Sequence, residues 1–193
     1  MKKELIYFLY IILSKLPDKL IVGFWFKMIT KIRARVLGWI PNNKVGKNVR
    51  VYRNVRTNKK SKLIIGENSA IKENCILIGN IEIGNNCNIL NNTKIDGTGK
   101  VIIGDNTHIG RENDIFSHYH EIKSKDILVN KSKEVPQTTI IGNNVMLFSR
   151  VGVMSGLTIE DNVVIGYGSV VTKNCEKNFI YAGNPAKKIG ERT

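Results

Sequence analysis

A chain of 193 residues, 42% of them hydrophobic, is long enough to bury a core of its own, which excludes disorder as its main state. The formal charge of +14 suggests a polyanion partner, but residues 1–60 hold fifteen Lys and Arg against two acids, while residues 61–193 hold fifteen against fourteen. The excess therefore belongs to one segment, and nucleic acid is not expected as a partner of the whole chain.

From the N-terminus, Leu5 to Leu13 and Leu20 to Phe26 are apolar but far short of the roughly 20 residues that a spanning helix needs. The first run follows two lysines as a signal peptide would, yet no small-residue cleavage site comes after it. The periodicity predicts helices over 3–16 and 18–37, broken at Leu16-Pro17-Asp18 with Asp18 as N-cap. Leu20, Phe24, Met28, Ile32 and Leu37 share one face of the second helix, among Lys27, Lys31 and Arg35. Two readings of residues 1–40 stand side by side: a cap on whatever follows, and an amphipathic segment lying on an anionic membrane.

From residue 41 a period of six takes over. Aliphatic residues recur at Val45 and Val51, then at Ile65, Ile71 and Leu77, at Ile83, Ile89 and Ile95, and at Ile103, Ile109 and Ile115; they resume at Ile141, Leu147, Val153, Ile159, Ile165 and Val171. Thr57 closes the first group of three. Three hexads make one turn of a triangular solenoid, so the series predicts six turns. Four places after the aliphatic comes a small or β-branched residue, and Cys75, Cys87 and Cys175 all fall in that column, a packing position and not a catalytic one. Three cysteines without CxxC spacing suggest neither a disulfide framework nor a zinc ribbon, and a reducing cytoplasm is the simpler home. The column before them is mostly asparagine, from Asn48 to Asn174, a residue that tolerates the positive φ of a repeated corner.

The register shifts slightly between groups, from 57 to 65 and from 95 to 103, and is interrupted at length once. Between Ile115 and Ile141 about 20 residues leave the solenoid, and they follow "IFSHYHEI", which holds His118 and His120. A loop of that length inside a compact domain usually has a function or is disordered.

The hexads "IGENSA", "IGNNCN", "IGDNTH" and "IGNNVM", with the terminal "VIGYGSVVTKN" and "YAGNPAKKIG", resemble those of the hexapeptide-repeat acyltransferases, and most of all the branch of maltose, galactoside and polysaccharide O-acetyltransferases. The resemblance covers about residues 45–190. It implies a mainly β fold, a left-handed parallel β-helix of about six coils over 41–193, with a protruding loop at 121–138, a tail at 176–193 and the helical segment 1–40 in front. It also implies a homotrimer with sites between subunits, acetyl-CoA as donor and no metal. In that family the loop leaves directly after the catalytic histidine, in the sixth place of its hexad; here that place belongs to His120, while His118 falls at a corner and would orient the acceptor or pack. Asn91 matches the acceptor-binding asparagine. The coenzyme would lie near Ser149, Gly166, Gly168 and Ser169, with Thr172, Lys173 and Lys187 or Lys188 toward its phosphates. Two departures bear on specificity: Met146-Leu147-Phe148 stands where Trp-Ile-Gly is common, so that Phe148 occupies a glycine's place beside the expected pantetheine tunnel, and Glu121 replaces a frequent proline.

The implied reaction is acetyl transfer to a sugar hydroxyl in capsule, lipopolysaccharide or exopolysaccharide assembly, in the cytoplasm or at the inner face of the membrane; the alternative is N-acetylation of a nucleotide-linked amino sugar. Three histidines, His108, His118 and His120, also raise the zinc site of γ-type carbonic anhydrases on the same fold, but the spacing of the pair does not match that family. A scaffold without chemistry is the non-enzymatic alternative, against which the histidine pair, the loop and "GNPAK" speak together.

Overall fold

The computed structural model describes residues 2–16, 24–122 and 128–193. The proposed N-cap at Asp18 lies outside them. Helix α1 (Lys2–Lys15) and helix α2 (Phe24–Trp39) cover the first turn of the solenoid. On α1, Ile6, Tyr7, Tyr10, Leu13 and Ser14 fall three or four residues apart and so form one stripe, which packs inward. Polar atoms fasten that stripe to the backbone of the coil: Tyr10 donates to the Val55 carbonyl at 2.9 Å, Tyr7 to Thr57 at 2.7 Å, and Asn54 N–H donates to Ser14 O at 2.6 Å. Arg33 of α2 is buried and donates to two carbonyls at the C-terminal end of α1: Leu13 at 2.8 Å, which also accepts Leu16 N–H at 3.3 Å, and Leu16, just past the helix, at 2.7 Å. Asn43 then ties the end of α2 to the solenoid, donating to Leu37 O at 3.0 Å and accepting from Leu63 N–H at 2.9 Å.

The hexad columns become the three faces of a left-handed parallel β-helix. The first face stacks Val45, Ile65, Ile83, Ile103, Ile141, Ile159 and Cys175. The second stacks Val51, Ile71, Ile89, Ile109, Leu147, Ile165 and Tyr181. The third stacks Leu77, Ile95, Ile115, Val153 and Val171 above the bridge from Arg56 to Ile76. Six turns are complete, as the hexads imply, and Cys175 and Tyr181 begin a seventh on two faces. That partial turn takes up the start of 176–193; Phe179–Ala182 lies on the last coil and Lys187–Glu191 folds back antiparallel along it. Each inward aliphatic contributes about 1.5–3 kcal/mol when fully buried, and only the coils above and below can bury it.

The corners follow from the asparagine column. Asn48, Asn54, Asn68, Asn74, Asn86, Asn92, Asn106, Asn144 and Asn162 all have positive φ, between 52° and 62°. Their side chains also join coil to coil: Asn54 donates to Asn74 at 2.9 Å, Asn86 to Asn106 at 3.2 Å and Asn144 to Asn162 at 2.8 Å. Asn80 and Asn174, in the same sequence column, do not take positive φ; at the first of them the turn residue is Gly79, at φ +89°. Glycine is required for a different reason after the first-face isoleucines: a Cβ on Gly66 would stand 2.5 Å from the Gly84 carbonyl carbon of the next coil.

The excursion from the solenoid begins earlier than the register of Ile115 suggests. Ser117 is the last residue on the coil. Its carbonyl accepts Gln137 N–H at 2.7 Å, and its Oγ accepts Gly99 N–H at 3.0 Å and donates to Asp96 O at 2.7 Å. The two ends of the excursion therefore meet at one corner. Between them His118–His120 pairs antiparallel with Glu134–Pro136, so both histidines stand on the hairpin and not on the coil. The observed excursion is 118–136, against the expected loop of 121–138.

At a corner, an L residue other than Asn or Gly meets the left-handed penalty of about 1–2 kcal/mol. Asn106→Val is expected to lower the unfolding free energy by at least that much, and Asn106→Gly by less, in urea titrations of the two variants.

Candidate active site

His118 and His120 project from one strand of the hairpin, with ring centroids 5.8 Å apart and planes at 81°. Phe116, the last third-face residue before the exit, stands edge-on to His118 at 6.4 Å. His118 is half-buried and His120 exposed. Behind His118 lies Asp96, with Oδ1 3.6 Å from Nδ1. That is a charge-pair distance but slightly too long for a hydrogen bond, and the buried Nδ1 makes none among the described residues. Asp96 is itself fixed in a short turn, where its Oδ1 accepts Thr98 N–H at 3.0 Å and the Thr98 hydroxyl at 2.6 Å. His120 has only Ser132 Oγ near its Nδ1, at 3.4 Å.

Asn91 is not beside the histidines. It stands at the corner where the third face begins, and Asp96 stands where that face ends. Its amide donates to Glu73 Oε2 at 2.6 Å. Between the two corners the third face carries a cleft of about 290 Å³ lined by Ile76, Ile78, Lys94, Ile95, Asp96, Asp114, Ile115 and Phe116. The asparagine and the histidine pair thus occupy two different edges of the same prism.

The expected coenzyme residues also divide. Ser149 and Gly168 continue the edge of Asn91: Ser149 Oγ accepts Arg111 N–H at 3.1 Å and its carbonyl accepts Gly168 N–H at 3.0 Å, while Glu112 N–H donates to Asn91 O at 3.0 Å. Gly168 has φ +68° and nothing within 4 Å of an added Cβ, so this strip of edge is open. Gly166 packs toward Ala182. Thr172 and Lys173 are exposed at the far end of the third face. Ser169 differs from expectation, because its side chain points inward: it is fully buried, and its Oγ donates to Gly166 O at 2.7 Å and accepts Gly183 N–H at 3.1 Å. Lys187 is exposed. Lys188 is already engaged, 2.5 Å from Glu176 and 3.5 Å above the Phe179 ring. Phe148 stands 49% exposed, next to Ser149 on the open edge.

Two residues escaped the sequence reading. Asp96 could have been found by stepping one coil back from the histidines, since Asp96 and Phe116 are in register. Glu73, which orients Asn91, lies one coil further back and carries no motif.

His108 lies on the second face, in register with Asn88 and Met146, away from the hairpin, and burial lowers its pKa. No group of three His, Cys, Asp or Glu residues suited to a metal occurs among the described residues. The thiols sit in the core, where burial pushes Cys75 up to about 12 and Cys175 up to about 11 and raises Cys87 as well. A buried thiol with a raised pKa remains protonated and is a poor nucleophile.

The comparisons with known proteins agree with this geometry. Residues 138–173 match the family described as bacterial transferase hexapeptide (six repeats). Over 51 residues the chain is 51% identical to a galactoside O-acetyltransferase of Escherichia coli strain K12, covering 26% of this chain and 25% of that protein. The chain thus matches about a quarter of the length of such curated relatives. Among solved structures, a maltose O-acetyltransferase from Clostridium difficile 630 is similar at TM-score 0.63 and 26% identity, over 99% of this chain and 86% of that one. A galactoside acetyltransferase in complex with coenzyme A is similar at TM-score 0.62 and 28% identity, over 84% and 71%.

The raised thiol values also set a pH dependence. A group whose folded pKa lies above its ordinary value of 9.0 stabilises the fold below that value and loses the contribution as pH rises. Stability is expected to be level below about pH 9 with respect to these groups and to fall from 9 toward 11. In addition, 5,5′-dithiobis(nitrobenzoate) at pH 8 should find no reactive thiol until the protein is unfolded in guanidinium.

Proposed function

We propose that this chain, which is similar to the hexapeptide-repeat transferases over residues 138–173, is an acyltransferase that moves an acetyl group from acetyl-CoA to a hydroxyl of a sugar or glycan precursor. The observation that carries this reading is the histidine pair beside the apolar cleft, at the one corner where the chain leaves its coil. The donor would lie along the open edge, where Gly168 leaves room beside Ser149, while Thr172 and Lys173 at the far end of the third face and Lys187 offer exposed donors and charge to phosphates. When bound, acetyl-CoA supplies a thioester that is already activated toward an oxygen or nitrogen nucleophile. The chain has to hold the acceptor against it and move one proton.

In the resulting mechanism neutral His120 takes the proton from the acceptor hydroxyl as that oxygen bonds to the thioester carbonyl carbon. The carbon–sulfur bond then breaks, and the imidazolium returns the proton to the leaving sulfur. His118, held between Phe116 and Asp96, positions the acceptor. A neutral imidazole is the side chain best suited to this exchange near pH 7. A second assignment rests on its own observation: the carboxylate stands behind His118 and not behind His120, and a carboxylate beside an imidazole stabilises the charged form that a base must pass through. In that assignment His118 is the base and Asp96 orients it.

The separation of Asn91 from the histidines supports a site shared between copies of the chain. We assign it to a homotrimer in which the Asn91 edge of one subunit faces the histidine edge of the next, with the acceptor between them. The setting proposed for the reaction is capsule, lipopolysaccharide or exopolysaccharide assembly.

His120→Ala is expected to lower turnover by about 10²–10⁴, with acetyl-CoA binding little changed. His118→Ala should mainly raise the acceptor KM. If His118→Ala is the inactive variant and His120→Ala the mild one, the roles exchange; near-parental turnover in both, at matched stability, would remove the pair from catalysis. Subunit sharing has its own check. Inactive His120→Ala and inactive Asn91→Ala, unfolded together in equal amounts and refolded, should regain about a quarter of parental activity, because one site in four then draws both residues from unmodified edges. Mixtures that stay inactive would place each site within one subunit.

A further inference from the structure

Helix α1 has two apolar stripes, and the solenoid uses one. Tyr7, Tyr10 and Ser14 are committed to the first coil. On the other side Leu5, Phe8, Leu9, Ile12 and Leu16 follow the i, i+3, i+4, i+7 spacing and are 68%, 60%, 39%, 45% and 39% exposed. A cap that only closed a core would turn polar residues outward there. The same end of the solenoid is basic. Between α2 and the first coil runs a cleft of about 500 Å³ lined by Lys31, Arg35, Trp39, Lys44 and Lys47 among others, with no acid in its wall. Trp39 at its rim is 59% exposed. Of the described residues before Lys60, Glu4 alone is acidic, and Lys59 pairs with it.

We propose that this end is a docking surface for an anionic phospholipid bilayer: the outer stripe of α1 enters the interface and the basic cleft of α2 receives lipid phosphates. Charge chooses the occupant. A second copy of this chain would bring the same positive end against itself, whereas an anionic leaflet complements it. Tryptophan at the rim suits the headgroup level, where one side of its ring is apolar and the other wet. No helix of the described residues is long and apolar enough to cross the bilayer, and the mode proposed is attachment at the interface. Docking in this way is end-on. With coils about 4.8 Å apart, the histidine corner three coils above the first lies about 15 Å further from the lipid than the first coil does. This surface does not depend on the acyl-transfer chemistry and is tested without it.

The experiment is sedimentation of the full chain with phosphatidylcholine vesicles, with and without phosphatidylglycerol, at low and high salt, alongside light scattering. The parent should sediment with the phosphatidylglycerol vesicles and release as salt rises, because exposed charges are screened beyond about 8 Å at physiological ionic strength. Phe8→Ser with Ile12→Ser, which leaves the inner stripe of α1 intact, should weaken vesicle binding by about tenfold or more at unchanged molar mass. Should that variant misfold, Lys31→Glu with Arg35→Glu tests the cleft and should weaken binding to phosphatidylglycerol vesicles alone. The proposal is overturned if the parent ignores anionic vesicles, if folded variants bind as the parent does, or if the serine variant changes the molar mass, which would make the stripe a contact between copies.

Discussion

Everything in this molecule depends on how one coil covers the next. An aliphatic side chain facing the axis of the prism has no cover within its own turn, so Leu77, Ile95 and Ile115 are buried only because each lies above the one before it. The period of six is the sequence form of that constraint, and the asparagine corners are its backbone form. Substitutions that keep a side chain's size but shift it by one position would place it outside the prism. A stack also has open ends. The N-terminal one is closed by Leu37, Ala34 and Tyr10 of the helices, all within the same buried cluster as Val51 and Val55.

A stacked prism has little freedom to build a site inside itself, so chemistry belongs on its edges, where chain can leave without uncovering the core. The chain leaves at one corner, and hydrogen bonds between Ser117, Gly99 and Gln137 close the coil beneath the departing hairpin. The hairpin carries the histidine pair outward, over Phe116 and beside Asp96. Coils below and a short strand pair above hold the imidazoles while leaving His120 exposed. The strip from Asn91 through Ser149 to Gly168 runs along another edge, and two edges of neighbouring prisms can form one cleft where a single prism cannot.

The repeats were legible because a period of six, kept over many turns, fits stacked short strands and does not fit the 3.6-residue helix. The six full turns and the core positions of all three cysteines could be read directly. Side-chain direction at the corners could not. Ser169 shares its column with inward residues such as Cys87, yet the family resemblance implies a place beside the coenzyme; the hydroxyl is spent on Gly166 and Gly183. Lys188 looked like a free cation and is paired with Glu176, an acid that becomes a neighbour only when the last strand folds back. The early departure at Ser117 was hidden for a similar reason, since the hexad count continues smoothly through His120 and only the bond to Gln137 shows where the coil closes. On α1, periodicity showed apolar residues but not that they divide into a face against the coil and a face left outside.

The central claim is that the hairpin corner transfers an acetyl group from a thioester to a sugar. It is tested most directly by incubating the purified full chain with acetyl-CoA and a panel of hydroxyl and amino sugars, following free thiol and sugar mass together. Coenzyme A thiol is expected to appear in step with an acetylated sugar, one for one, at a rate unchanged by EDTA. Folded protein that releases no thiol with any acceptor and binds no acetyl-CoA at millimolar concentration would contradict the claim and leave the β-helix as a scaffold.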